Sequence, residues 1–460
     1  MPRRPLSRAC ARLLTPRRSA ARLVAARRSS ARLLGPLLLA VAACTPNSGS
    51  SEAPATAGAD AKTDDPPPAN PGPTTVEERD YTPTAADTQA ARAEARGGNR
   101  FAEALYTKVS AQPGNLFLSP LSVRIALAMT YAGARGETAT EMASVLAFAA
   151  EGDALHGAMN ALQGSLTAAA PPPQSLAIAN RLWGARGEGF LGPFLQLTRS
   201  YYGAALEEVD FAGDAEAARQ TINAWVAERT ADKIPELLGA GAVDSSTVLV
   251  LTNAIYFKGL WERPFDPART KPAPFKAGAK TIQAPMMSQR GRFALGEVAD
   301  AQVLELPYVG GRLRMVIALP TAADGLAKLE AALSADPQVA LDEWVAACKE
   351  RDVEVSIPRF TVDSSFALGD ALQAMGMRAA FGGADFSGMN GGKDLRISAV
   401  IHRAFVQVTE EGTEAAAATG VVMTRSMVPR FVADHPFLFA IRDAETGAIL
   451  FLGRLVEPSA

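Results

Sequence analysis

The chain predicts an α+β fold, and three observations predict it. Apolar residues recur at helical spacing through the first half of the 460-residue sequence. Segments rich in Val, Ile, Phe and Leu recur through the remainder. The two kinds do not alternate regularly, which argues against a doubly wound parallel sheet. Helical patterns cover Asn99–Val109, Ser119–Ala134, Thr138–Ala147 and Ala215–Thr230. Strand patterns cover Leu176–Trp183, Val248–Phe257, Val303–Pro307, Leu313–Ala318, Val353–Pro358, Ile397–Val408, Phe437–Ile441 and Ile449–Val456.

Composition supplies the rest of the frame. With 48% hydrophobic and 20% charged residues the chain has ample material for a core. Its formal charge of −2 conceals an asymmetry. Removing residues 1–43, with their ten arginines and no acid, takes the charge from −2 to −12. A domain that acidic is a poor nucleic-acid binder.

Residues 1–43 read as an export signal: an Arg-rich stretch, the apolar run Leu33–Ala43, then Cys44. The run is too short to span a bilayer. Val41-Ala42-Ala43-Cys44 resembles a bacterial lipobox, in which Cys44 would carry a lipid anchor. The alternative is an ordinary cleavage site with an incidental cysteine. On the first reading the protein is exported and sits in the cell envelope, periplasmic or at the cell surface, or is extracellular. Residues 44–96, rich in Pro, Ala and Thr, read as a disordered tether behind that anchor. The folded domain is then 97–460. Cys10 and Cys44 belong to the signal and anchor, so Cys348 stands alone and no intrachain disulfide forms in the mature protein.

The chain lacks GxSxG, HExxH, P-loop and CxxC motifs. His156, His402 and His435 are more simply hydrogen-bonding groups than members of a triad assembled from distant residues. No enzyme, metal or cofactor is expected.

The segment Glu410–Thr419, EEGTEAAAAT, carries two conflicting signals. Thr413 could cap a short alanine helix ending at Gly420. At period two, Thr413, Ala415, Ala417 and Thr419 share one face and Glu414, Ala416 and Ala418 the other. Every side chain but that of Glu414 is small, as a strand slipping between two others would require. The connection from Val408 to Phe437 is also long for a compact domain, which points to function or disorder.

Ordered motifs decide between these readings. They include Asn115-Leu116-Phe117-Leu118-Ser119-Pro120-Leu121-Ser122, Ala179-Asn180-Arg181-Leu182-Trp183, Thr252-Asn253-Ala254-Ile255-Tyr256-Phe257-Lys258-Gly259-Leu260-Trp261, Ile357-Pro358-Arg359-Phe360 and Asp434-His435-Pro436-Phe437-Leu438-Phe439. With them the chain strongly resembles the serpin superfamily, in its inhibitory, bacterial form, across Gly97–Ser459. The resemblance implies three β-sheets, surrounding helices and an exposed reactive-centre loop. It implies a suicide inhibitor of serine proteases: a protease cleaves the loop, the acyl-enzyme forms, and the hinge inserts as a new strand of the main sheet.

On that resemblance the hinge is Glu410, Glu411, Gly412, Thr413, Glu414, Ala415, Ala416, Ala417, Ala418 and Thr419. Ser119, Ser122, Asn253 and His402 match the shutter, and Trp261 the breach. For the two serines a purely structural role is the competing reading. Counting back from His435-Pro436 places the reactive bond at Arg425–Ser426, which suits a trypsin-like target. Counting forward from Glu410 gives Ser426–Met427; with Met423–Thr424 it would suit elastase- or chymotrypsin-like targets. The expected partner is a serine protease held covalently by a monomer; a cysteine or subtilisin-like protease, or a non-inhibitory binding module, are the alternatives. Gly136–Asn180 has no Lys or Arg, so heparin-type activation through that region is not expected.

Overall fold

The computed structural model describes residues 80–172, 174–204, 206–335, 337–412 and 428–459. Its helices are α1 (Ala85–Val109), α2 (Pro120–Tyr131), α3 (Gly136–Val145), α4 (Gly152–Ala168), α5 (Gly192–Tyr202) and α6 (Phe211–Arg229), followed by α7 (Leu326–Ala335), α8 (Pro337–Ala347), α9 (Gly369–Ala374) and α10 (Ser387–Asn390). The first strands are β1 (Leu116–Leu118), β2 (Ser175–Ala185), β3 (Glu207–Val209), β4 (Leu249–Lys258), β5 (Lys271–Ala277) and β6 (Lys280–Val298). Then come β7 (Ala301–Pro307), β8 (Leu313–Pro320), β9 (Lys349–Pro358), β10 (Phe360–Ala367), β11 (Ala399–Val408), β12 (Arg430–Val432), β13 (Phe437–Asp443) and β14 (Ile449–Leu455).

A five-stranded sheet runs β10-β11-β4-β2-β3. The other strands form one nine-stranded sheet, β1-β14-β13-β8-β7-β6-β9-β12, with β5 on β6. The expected three sheets are therefore two hydrogen-bonded units. The cause is β6: its first part pairs with β5, its last residues pair with β7, and β9 follows it through most of its length.

Residues 85–96, read from the sequence as part of a tether, are helical in the structure. Helix α1 begins at Ala85, where Thr84 and Asp87 form a reciprocal capping box. Small residues hid this helix: Ala91, Ala95, Gly97 and Gly98 are buried, and Gly97 has the carbonyl of Ala147 where a Cβ would sit. Glu94 is fully buried and pairs at 2.5 Å with the equally buried Arg124 on α2. Arg124 also donates to the carbonyls of Glu94, Leu146 and Ala147, while Glu94 accepts from the backbone of Ala149 and Ala150.

In the five-stranded sheet the strict alternation of β11 decides what faces where. Val400, His402, Ala404, Val406 and Val408 are buried, and the odd-numbered residues between them are half-buried. Ala404, Val406 and Val408 join the main core. On the opposite face Ile401 and Phe405 pack under α6 and the turn after it, against Val226, Ile234 and Leu237. Asn223 of α6 fastens that turn, accepting from the backbone of Leu237 and Leu238 and donating to the Leu238 carbonyl.

Candidate functional site: the β4–β11 seam and its upper end

Two central strands of the five-stranded sheet run parallel. β11 and β4 pair directly from Ala399↔Val250 to Phe405↔Tyr256. Beside this seam β4 pairs antiparallel with β2, and β11 antiparallel with β10. Two parallel neighbours without a crossover partner between them leave room, topologically, for one antiparallel strand.

A polar cluster crosses the middle of the seam. His402 lies opposite Asn253 in register, and Asn253 opposite Asn180. All are buried, as are Ser119 and Ser122 below them. The backbone N–H of Ser119 donates to His402 Nε2 at 2.9 Å. That nitrogen accepts, so the proton lies on Nδ1, which faces Asn253 Oδ1. Asn253 Nδ2 donates to Ser122 Oγ at 2.5 Å and to Asn180 Oδ1. Ser122 Oγ donates to Asn180 Oδ1 at 3.1 Å, and Asn180 Nδ2 to the Ser122 carbonyl at 3.1 Å. Ser119 caps α2 and donates to the Leu450 carbonyl at 2.7 Å, tying the cluster to β14. The structure thus gathers Ser119, Ser122, Asn253 and His402 into one network. It adds Asn180, which sequence reasoning quoted only within a motif; the signal was its alternation in β2 with the buried Leu182.

Burial pushes the His402 imidazole down to about 3, and the Asn253 contact offsets only part of this. His156, buried against the Tyr202 hydroxyl at 2.6 Å, is likewise pushed down to about 4 by burial. Both are neutral when folded and free to protonate when unfolded. Stability should therefore fall as pH drops from about 6.5, the unfolded value, toward 4 for His156 and 3 for His402. Each contributes up to about 1.4 kcal/mol per pH unit inside its window. Urea denaturation at pH 7 and pH 5 checks this. His156→Gln, which leaves the seam intact, should lose about one proton of the dependence; an unchanged slope would refute the assignment.

At the upper end the chain leaving β11 turns sharply. The N–H of Thr409 donates to the Gly412 carbonyl at 2.8 Å, and the N–H of Gly412 to the Thr409 carbonyl at 3.2 Å. This two-residue turn over Glu410 and Glu411 starts an antiparallel hairpin. Gly412 has φ +133°, and a Cβ there would meet the Gly259 carbonyl oxygen at 2.2 Å, so only glycine fits. Trp261 is buried, stacks on Tyr308 with centroids 4.6 Å apart, and donates from Nε1 to the Thr409 carbonyl at 3.0 Å. The Glu411 carbonyl accepts from the Trp261 N–H at 2.9 Å, and the Glu410 carbonyl from the Phe265 N–H at 2.6 Å. The Glu410 carboxylate is buried, ion-paired to Arg359 and bonded to the Thr270 hydroxyl at 2.6 Å. Burial works against its charge, yet Arg359 and Thr270 hold its pKa below the ordinary glutamate value. Sequence reasoning missed Arg359, Thr270 and Tyr308 as partners, because each lies far along the chain from the turn it supports.

Thr413, Glu414, Ala415, Ala416, Ala417, Ala418, Thr419, Met423, Arg425, Ser426 and Met427 lie outside the described residues, as does Cys44. The described residues continue from Val428 into β12, which pairs parallel with β9.

The site is thus a parallel seam crossed by a buried polar cluster, with a tight hairpin turn at one end. The chain belongs to the serpin family: the family model described as "Serpin (serine protease inhibitor)" matches residues 96–458. Bovine leukocyte elastase inhibitor is 47% identical over 358 residues, 75% of this chain and 93% of that protein. Its human counterpart is 42% identical over 377 residues, 78% and 98%. Among solved structures, uncleaved ovalbumin matches with TM-score 0.72 and 31% identity over 79% of this chain and 99% of its own. An Arabidopsis serpin in its native stressed conformation matches with TM-score 0.71 and 30% identity, over 81% and 98%.

These findings bear on four expectations. The bacterial assignment loses its support, because the relatives matched include inhibitors from cattle, rodents, pig and human. The cell-envelope lipoprotein location is overturned by the same relatives, which are leukocyte elastase inhibitors; the family match begins at residue 96, well past Cys44. Among the described residues no helix is long and apolar enough to cross a membrane. Enzymatic activity was set aside on missing motifs, and that ground is replaced: the relatives are named as protease inhibitors, and that is what bears on the question. Finally, the protein is a serpin protease inhibitor, and elastase, not a trypsin-like enzyme, is the target that its relatives' names carry.

Proposed function

We propose that this protein is a suicide inhibitor whose reactive bond lies between Arg425 and Met427, and that cleavage there lets the preceding hinge, Glu410–Thr419, enter the β4–β11 seam. The observation that carries this is the hairpin turn. Its pair Thr409↔Gly412 is already antiparallel. Continued one residue at a time, that register sets Thr413 opposite Val408, Ala415 opposite Val406, Ala417 opposite Ala404 and Thr419 opposite His402. All four partners are buried on the core face, where a second layer of large side chains would not fit. Ala416 and Ala418 fall on the face covered by α6, and Glu414 falls opposite the half-buried Gln407, where it can reach solvent.

Insertion would exchange one parallel ladder for two antiparallel ones. On the order of ten added hydrogen bonds at about 0.5–1.5 kcal/mol each would supply roughly 5–15 kcal/mol, comparable with a domain's whole stability. The His402–Asn253 contact would have to break and Thr419 would take its place. This gives the buried cluster the role of a latch satisfied in both states. Trp261, Arg359 and Thr270 would hold the turn at the entrance.

The relatives' names favour elastase, and the forward count onto Ser426 agrees, since a small residue before the bond suits a shallow specificity pocket. Cleavage at Arg425–Ser426 by a trypsin-like protease is the second reading, favoured by the arginine itself. Incubation with pancreatic elastase and with trypsin tests both. An SDS-resistant complex is expected, with a released fragment starting at Met427 for elastase or Ser426 for trypsin. Simple loop cleavage without a complex by these two and by subtilisin would sink the inhibitor reading.

A further inference from the structure

We infer that the rim formed by β5 and its flanks is a docking surface for the target protease, and that the protease it fits carries acidic groups beside its cleft. This rests on the inhibitor reading above. Residues 267–296 hold six cations, Arg269, Lys271, Lys276, Lys280, Arg290 and Arg292, and not one acid. This stands out in a chain whose residues 44–460 carry a formal charge of −12. Arg290 is neutralised by Asp352 and Arg292 by Glu350. The neighbouring Arg359 and Arg430 are paired with Glu410 and Glu354. Among the described residues, Arg269, Lys271, Lys276 and Lys280 have no acidic partner, and the three lysines are exposed.

Their position gives these four charges a use. Arg269 and Lys271 flank Thr270, whose hydroxyl holds Glu410 where the chain departs toward residue 413. The N–H of Lys276 donates to the Asp434 carbonyl at 2.7 Å, just past β12, where the chain has returned. The cations therefore line the stretch between the two points where segment 413–427 joins the domain. Charges on that stretch act on a protease engaging the segment over about one Debye length, roughly 8–10 Å. The fold does not call for them: the part of β5 that reaches the core is Phe275 and Ala277. Like charges clustered on one hairpin repel one another, so their net effect on stability is adverse. Their gain is in encounter, where steering of this kind raises association rates by about 10 to 10³ at low salt.

The test uses the full chain and trypsin or pancreatic elastase, each unmodified and succinylated to make its surface acidic. The association rate is followed at 50 and 500 mM NaCl, along with the number of inhibitor molecules consumed per protease. The succinylated protease should be trapped about tenfold faster at low salt than at high. The combined Lys271→Glu, Lys276→Glu and Lys280→Glu variant should abolish that difference while the stoichiometry stays unchanged. The corresponding triple alanine variant, which adds no new charge, should fall between the two. Complexes that form with the same salt dependence in wild type and both variants would overturn the rim and leave the inhibitor reading intact. No complex with any of the four protease preparations, and none with subtilisin, would remove both.

Discussion

Thr413→Arg is expected to turn the inhibitor into a substrate. On the proposed insertion, the register that begins at Thr409↔Gly412 would put residue 413 opposite Val408, which is fully buried on the core face of β11. Insertion would carry the guanidinium into that core with no acid prepared for it. An unpaired buried charge costs several kcal/mol, and each 1.4 kcal/mol on a barrier is about tenfold in rate. Insertion would then lose its race with deacylation, and the protease would escape after cutting the loop. The measurement is the partition between SDS-stable complex and cleaved inhibitor. Wild type should give mostly complex and Thr413→Arg almost only cleaved chain, with the folded stability of the uncleaved protein unchanged. Glu414→Arg is the control, because on the same register residue 414 would fall opposite the half-buried Gln407 and should cost far less. Equal partition for the two variants would refute the register.

The second large effect is on stability. Glu94 and Arg124 are both wholly inaccessible, and each is bonded further to backbone groups of the 146–150 turn. Removing one partner leaves a buried charge without its counter-ion, which typically costs about 3–5 kcal/mol. Glu94→Ala should therefore lower the unfolding free energy by that amount in urea denaturation. A chain cut at residue 97 should suffer at least as much, since it also loses the first turns of α1. A chain cut at residue 80 should match the full chain. Equal midpoints for the 80- and 97-residue cuts would show that the pair is not what holds α1. Replacing Glu94 and Arg124 together by apolar residues of similar volume should recover much of the loss, because the desolvation penalty disappears with the charges.

The elements with strong periodicity were legible in the chain. The pattern Ile397–Val408 became β11, Val248–Phe257 became β4 and Ala215–Thr230 became α6 to within a few residues. α1 was not legible over roughly its first four turns, because alanine and glycine bury without an apolar signature, and a glutamate reads as solvent-facing until its arginine is seen. β5 and β6 were missed for a related reason: prolines, lysines and glycines interrupt them, and cross-strand pairing outweighs their low strand propensity.

The site divides the same way. Its local half is a matter of composition. Small side chains from Ala415 to Ala418, a glycine at 412 and the ordered motifs around Ser119, Asn253, Trp261 and His402 stand in the sequence whatever the fold. What the sequence could not contain is adjacency across the chain. That His402 meets Asn253, that Arg359 and Thr270 hold Glu410, and that β4 and β11 run parallel with nothing between them are outcomes of strand order, decided by packing of segments 50 to 280 residues apart. The four cations without an acidic partner among the described residues show the same division most plainly. Their number can be counted in the sequence, but only the folded sheet places them between the two ends of one loop.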